Sequence, residues 1–186
     1  MIKLGENYRD AEASNGNTDF VRLPPGGYVC TIKKVTNYSQ NEKPFLEVVY
    51  DIREGEYKDF YNDDWGKDNE WAHSIRHYYS EAAFGMFKGF LKAVDESNNT
   101  DFAEQAEFGL DEQRLVGKAI GYIIGEEEYL GNDGSVKTRL RVRGARSVQA
   151  IREGRFKQPE LKKLTTKTEQ IIPSKPENAN LDDLPF

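Results

Sequence analysis

Gly131-Asn132-Asp133-Gly134-Ser135-Val136-Lys137-Thr138-Arg139-Leu140-Arg141-Val142-Arg143 decides the fold class. Its first four residues are those that tolerate the backbone angles of a tight hairpin turn. Beyond the turn, Val136, Thr138, Leu140 and Val142 alternate with Lys137, Arg139, Arg141 and Arg143. That period of two gives a β-strand one apolar and one cationic face. On the other side of the turn, Lys118–Gly125 is a nearly continuous apolar run, as expected of a strand inside a sheet. The two halves predict a β-hairpin joining a buried strand to an amphipathic one.

Working outward, Pro24-Pro25-Gly26-Gly27 predicts a turn, followed by a strand with Tyr28, Cys30 and Ile32 on one face. Leu46, Val48, Tyr50 and Ile52 share a face in the next strand. Gly55 then predicts a turn into a shorter third strand around Tyr57–Tyr61. One helix stands between the two groups of strands, over Ser80–Val94. It has Ser80 as N-cap, a stripe of Phe84, Phe87, Leu91 and Val94, and Phe90 beside that stripe. Three strands, a helix, then two strands is the order of an OB-fold. The sequence therefore predicts a mainly β chain with a five-stranded OB-fold-like barrel and one helix between strands 3 and 4.

Apolar periodicity is confined to residues 20–158, which predicts one domain there, with a loosely ordered arm at 1–19. Residues 159–186 read as a linker and tip that opens with a short helical stretch at Glu160–Leu164. From Thr165 onward the composition offers too little apolar area to offset ordering entropy, so a disordered acidic tail is expected. No stretch approaches the roughly 20 apolar residues of a membrane helix. No secretory signal is visible at Met1–Glu6. A lone Cys30 excludes an intramolecular disulfide, which suits a reducing cytoplasm. Asn98-Asn99-Thr100 matches a glycosylation sequon that has no meaning there.

The chain carries a net charge of −6, but the charge is unevenly placed. From Lys137 to Lys167 there are eleven Lys or Arg against Glu153 and Glu160, a local charge of +9, so the rest carries −15. Such separation suits a protein that offers one face to phosphates while the remainder keeps it soluble. Lys137, Arg139, Arg141 and Arg143 span about 20 Å at ~3.3 Å per residue, a row able to follow a nucleic-acid backbone. Guanidinium groups can also fork onto phosphate. No acid occurs from Lys137 through Arg152.

Single-strand binding also needs rings on which bases stack. The expected platforms are Tyr57, Tyr61 and Trp65, of which Tyr61 and Trp65 stand out because Trp65 lies in a polar Asn/Asp/Gly loop. Trp71, Tyr78 and Tyr79 are further candidates, Trp71 reading as a packing residue. Lys33 and Lys58 add charge. Catalytic readings are weaker. Asp59, Asp63, Asp64, Asp68 and Glu70 match no calcium-loop spacing, and His73 and His77, four apart, lack further zinc ligands. Cys30 reads as an inert buried thiol, and no phosphate-binding glycine loop or nucleophile elbow appears. The expectation is no enzyme, no metal and no cofactor.

The chain ends Leu181-Asp182-Asp183-Leu184-Pro185-Phe186. An apolar ring beside carboxylates on a flexible tether suits a recognition peptide. This end resembles the acidic tip of bacterial single-stranded DNA-binding proteins, which implies that Asp182, Asp183, Leu184, Pro185 and Phe186 recruit replication or recombination proteins. Asp51-Ile52-Arg53-Glu54-Gly55-Glu56-Tyr57, Phe87-Lys88-Gly89-Phe90, Leu115-Val116-Gly117-Lys118 and Glu126-Glu127-Glu128-Tyr129 also resemble a family of small phage and mobile-element proteins of Gram-positive bacteria. Several members of that family are taken to be single-stranded DNA-binding proteins. The similarity runs from about Tyr28 to Leu164 and implies an OB-like domain in phage or element DNA replication and recombination, without catalytic residues. The Trp65–Val94 region departs as an addition relative to bacterial single-stranded DNA-binding proteins.

The expectation is thus a non-enzymatic single-stranded DNA-binding protein, with an edge strand that leaves room for a homodimer. RNA binding or annealing on the same fold, an adaptor or inhibitor of a host protein, and a metal-dependent nuclease are the alternatives.

Overall fold

The structure, a computed structural model, describes residues 22–164. Five strands form one antiparallel sheet: β1 (Gly26–Asn37), β2 (Phe45–Ile52), β3 (Ser74–Tyr78), β4 (Ala119–Leu130) and β5 (Val136–Arg146), in the order β3-β2-β1-β4-β5. The sheet is open, with β3 and β5 at its two edges, so the expected barrel is not closed. The helices are α1 (Asp64–Asp68), α2 (Glu81–Asn98), α3 (Phe102–Gln105) and α4 (Val148–Arg152), with 3-10 turns at Glu70–His73 and Glu112–Leu115. Among the described residues no helix is long and apolar enough to cross a membrane.

Alternation builds the core on one face of the sheet. Cys30 and Ile32 from β1, Leu46, Val48, Tyr50 and Ile52 from β2, and Ile120, Tyr122 and Ile124 from β4 are all buried there. Two bulges keep this face apolar where the spacing would otherwise slip. The register between β1 and β2 shifts at Lys33, so Ile32 and Val35 are both buried despite their odd spacing. Arg143 plays the same part in β5, letting Val142 and Ala145 both pack against the core.

Phe90, Leu91 and Val94 of α2 cover this face. The helix runs past the expected end at Val94 to Asn98, and Asn99 closes it with φ 54°. The Asn98 side chain then donates to the Ala119 carbonyl at 2.8 Å and accepts from the Ala119 amide at 2.9 Å, fastening α2 to the start of β4. Of the expected stripe, Leu91 and Val94 are buried and Phe87 is partly buried, but Phe84 is 51% exposed, while Phe90, expected beside the stripe, is 1% exposed.

A second, smaller core lies on the opposite face, where Val148 and Ile151 of α4 and Phe156 pack on Val29, Ala119 and Ile123. Two glycines permit this close approach. A Cβ at Gly121 would sit 2.3 Å from Ile151, and one at Gly27 would sit 2.5 Å from the Phe156 ring.

Two expected elements are corrected. Tyr57–Tyr61 is not the third strand; that place at the β2 edge belongs to Ser74–Tyr78. After β2 the chain instead turns back on itself, with Gly55 at φ 88° and Asp59 at φ 58°. The buried Asp51 carboxylate accepts from the Tyr61 amide at 3.1 Å, which fixes that fold-back. Glu160–Leu164 is not helical either. Lys162 bridges Glu127 in parallel: its amide donates to the Glu126 carbonyl at 3.0 Å and its carbonyl accepts from the Glu128 amide at 2.9 Å. β4 projects past the start of β1 at this level, and the 159–164 segment covers the edge that β1 leaves bare.

Candidate nucleic-acid interface

The projecting half of the β4–β5 hairpin carries the basic residues. Opposing residues of an antiparallel pair share a face, and Glu127 stands directly across from Arg139. Arg139 approaches its carboxylate to 2.7 Å, Arg143 to 3.2 Å, Arg141 to 3.6 Å and the Lys162 ammonium to 4.0 Å. Four cations thus surround one carboxylate that is only 15% exposed. Burial alone would raise the Glu127 pKa. The Arg139 hydrogen bond and the charges of Arg139, Arg143 and Arg141 outweigh it and hold the group below its ordinary value.

The cations are held in different ways. Arg143 is the least exposed and also donates to the Glu126 carbonyl at 2.7 Å. Arg139 lies over the Tyr129 ring at 4.9 Å. Lys137 sits apart, 2.9 Å from Asp133 in the hairpin turn; hydrogen bonds from Lys137 and Ser135 bring the Asp133 pKa down to about 2. The sequence of β5 shows no acid in its cationic stripe, but the partner strand supplies one.

The expected stacking residues are placed differently. Tyr61 is 5% exposed, and its ring stacks on His73 at 4.5 Å with 6° between planes, so it offers no platform to a base. Burial pushes its phenol pKa up. Tyr57 is half-buried, edge-on to Tyr28 and Phe60. The backbone of Trp65 lies in α1; its side chain is outside what the structure describes. Trp71, expected to pack, is 68% exposed, and its indole donates to Asn69 at 3.0 Å. Lys33 is the exposed bulge residue of β1, and Lys58 is exposed beside Asp59. Asp182, Asp183, Leu184, Pro185 and Phe186 lie outside the described residues.

An aromatic cluster, of which the sequence reading named only Tyr78, lies on the outward face of the β2–β3 pair. Phe45 stands across from Tyr78, with ring centroids 5.5 Å apart, and Tyr38 stacks on Phe45 at 4.7 Å. Arg76 lies over the Phe45 ring at 4.8 Å and pairs with Glu47 at 3.1 Å. The available signal was Phe45, an aromatic on the polar register of β2, opposite in phase to Leu46.

Register separates the two sites. Arg141 and Arg139 pair with Gly125 and Glu127, beyond the Gly26–Ile124 pair, with Arg143 at the bulge beside Ile124, whereas Phe45 lies at the far end of β1, next to the Asn37–Leu46 pair. The length of β1 between them is a contour of about 40 Å at ~3.3 Å per residue.

The acidic loop is engaged otherwise. Asp63 caps α1 by accepting from Gly66 at 2.7 Å, and Glu70 pairs with Lys34 at 2.7 Å. His73 faces the carbonyls of Tyr50 and Gly66, while His77 stacks on Phe90 at 4.1 Å, so the two rings have separate surroundings. Cys30 is fully buried, which pushes its thiol pKa up. Among the described residues no three His, Cys, Asp or Glu side chains gather as a metal site needs. No model of a known protein family matches the chain, and no curated protein matches it.

Proposed function

We propose that this chain binds single-stranded DNA without acting on it chemically, in phage or mobile-element replication and recombination. The observation that carries the proposal is the convergence of Arg139, Arg141, Arg143 and Lys162 on Glu127. That arrangement holds forked donors around an oxyanion with three positive charges to spare, the chemistry a phosphate backbone requires. In this proposal the backbone passes over the projecting hairpin, and bases reach the Tyr78 and Tyr38 rings that flank the buried Phe45, rather than Tyr61. The strand order β3-β2-β1-β4-β5 is that of an OB barrel whose seam between β3 and β5 is unpaired, which supports assigning the chain to that fold. The tip at 182–186 would recruit replication or recombination enzymes.

The test is fluorescence anisotropy of labelled oligo-dT with the full chain at low and high salt, alongside an oligoribonucleotide of matching length. Binding of the deoxy strand that weakens steeply with salt is the expected result. Stronger binding to the ribo strand would move the proposal to RNA, and binding to neither would remove it.

A further inference from the structure

A groove of about 700 Å³ opens between α2 and the α3–Leu115 segment, away from the basic hairpin. Its floor is apolar and includes Leu46, Phe87 and Leu91. Leu46 belongs to the inward register of β2, so the groove lies on the opposite side of the strand from Phe45. Phe84, which lines it, is 51% exposed, and Phe108, next to the lining residue Glu107, is 88% exposed. Phe108 sits between Glu107 and Leu110, both of which line the groove, so the segment that forms this wall also carries a bare ring. Exposed apolar clusters of this kind mark association sites.

Charge decides what fits. Lys88 stands on the α2 wall, and Glu107 and Glu112 stand on the opposite wall. Among the described residues none of the three forms an ion pair within the chain. The chain's own acidic end, Asp182-Asp183, would meet two carboxylates for one lysine. A surface with Lys88 on one side and Glu107 on the other is complementary to itself when turned about a two-fold axis.

We infer that a second copy of this chain docks in the groove about a two-fold axis, Phe108 of each copy entering the other's groove and Lys88 of each facing the partner's Glu107. This dimer does not depend on the nucleic-acid proposal, and it leaves the arginine group and the Phe45 cluster uncovered.

Sedimentation velocity of the full chain, from micromolar to submillimolar concentration, is the test. The wild-type chain is expected to dimerise, and Phe108→Asp, a change at an exposed position, to sediment as a monomer that circular dichroism shows to be folded. Lys88→Glu and Glu107→Lys are each expected to weaken the dimer about tenfold or more, because each sets like charges face to face twice. Mixing those two variants should restore it, since in the heterodimer each substituted side chain faces the other and the two unsubstituted ones, Lys88 and Glu107, form the second pair. A wild-type chain that stays monomeric, or a mixture that does not recover, would overturn the inference. So would binding of a labelled peptide of residues 1–21 or 177–186 to the full chain, if Lys88→Glu or Phe84→Ala abolished it, because the groove would then belong to the chain's own end.

Discussion

Glu127 and Arg139 face each other across the β4–β5 ladder at 2.7 Å, and that pair organises the basic hairpin. The carboxylate holds Arg139, Arg141 and Arg143 in one place while cancelling one of their charges. It therefore works for the fold and against a bound phosphate. Glu127→Gln should remove that opposition and tighten oligo-dT binding about threefold or more at low salt. It should also cost on the order of 2 kcal/mol of stability, because hydrogen bonds to a charged group are lost. Because the folded Glu127 pKa is depressed, its stabilisation is present above the unfolded carboxylate pKa and is lost as pH falls through the folded value. Denaturant melts of the variant should accordingly show a flatter acid limb.

His77 gives a second, separate acid response. Burial against Phe90 brings its pKa from 6.5 down to about 4, and its Nε2 is buried without a hydrogen-bond partner. The unfolded chain takes up a proton near pH 6.5 while the folded one does not. Stability should fall as pH drops from 6.5 towards 4, by on the order of 3 kcal/mol in all. His77→Phe should remove that slope. An unchanged slope in urea melts of the variant would contradict the assignment.

The stacking surface is tested by a pair of tyrosines. Tyr78, 41% exposed beside Phe45, should lose about 1–3 kcal/mol of oligo-dT binding on substitution by alanine. Tyr61→Phe keeps the buried ring against His73 and should leave binding unchanged. The opposite pattern in anisotropy titrations would return the platform to the 57–65 segment.

Strand alternation was legible because it is local: β1, β2, β4 and β5 follow from their period of two and their turns. Tyr57–Tyr61 misled because aromatic spacing in a fold-back resembles a strand. What fixes that fold-back is the Asp51 carboxylate on the Tyr61 amide, a contact across ten residues that no window of sequence displays. Ser74–Tyr78 was overlooked as a strand because its pattern is short and holds a buried histidine. The cations of β5 were legible as a row. Glu127 was not, because cross-strand register had to be known before it could be set among them. Phe84 and Phe90 show the same limit on a helix: spacing gives a stripe, and only packing says which edge of it is buried.

The most direct measurement is the salt dependence of oligo-dT binding by Arg139→Ala/Arg141→Ala against the wild-type chain. Loss of two phosphate contacts should weaken binding and make the plot of log affinity against log salt shallower by about 1.4, roughly 0.7 per contact on a single strand. An affinity and slope equal to wild type would contradict the claim that this arginine group carries the nucleic acid.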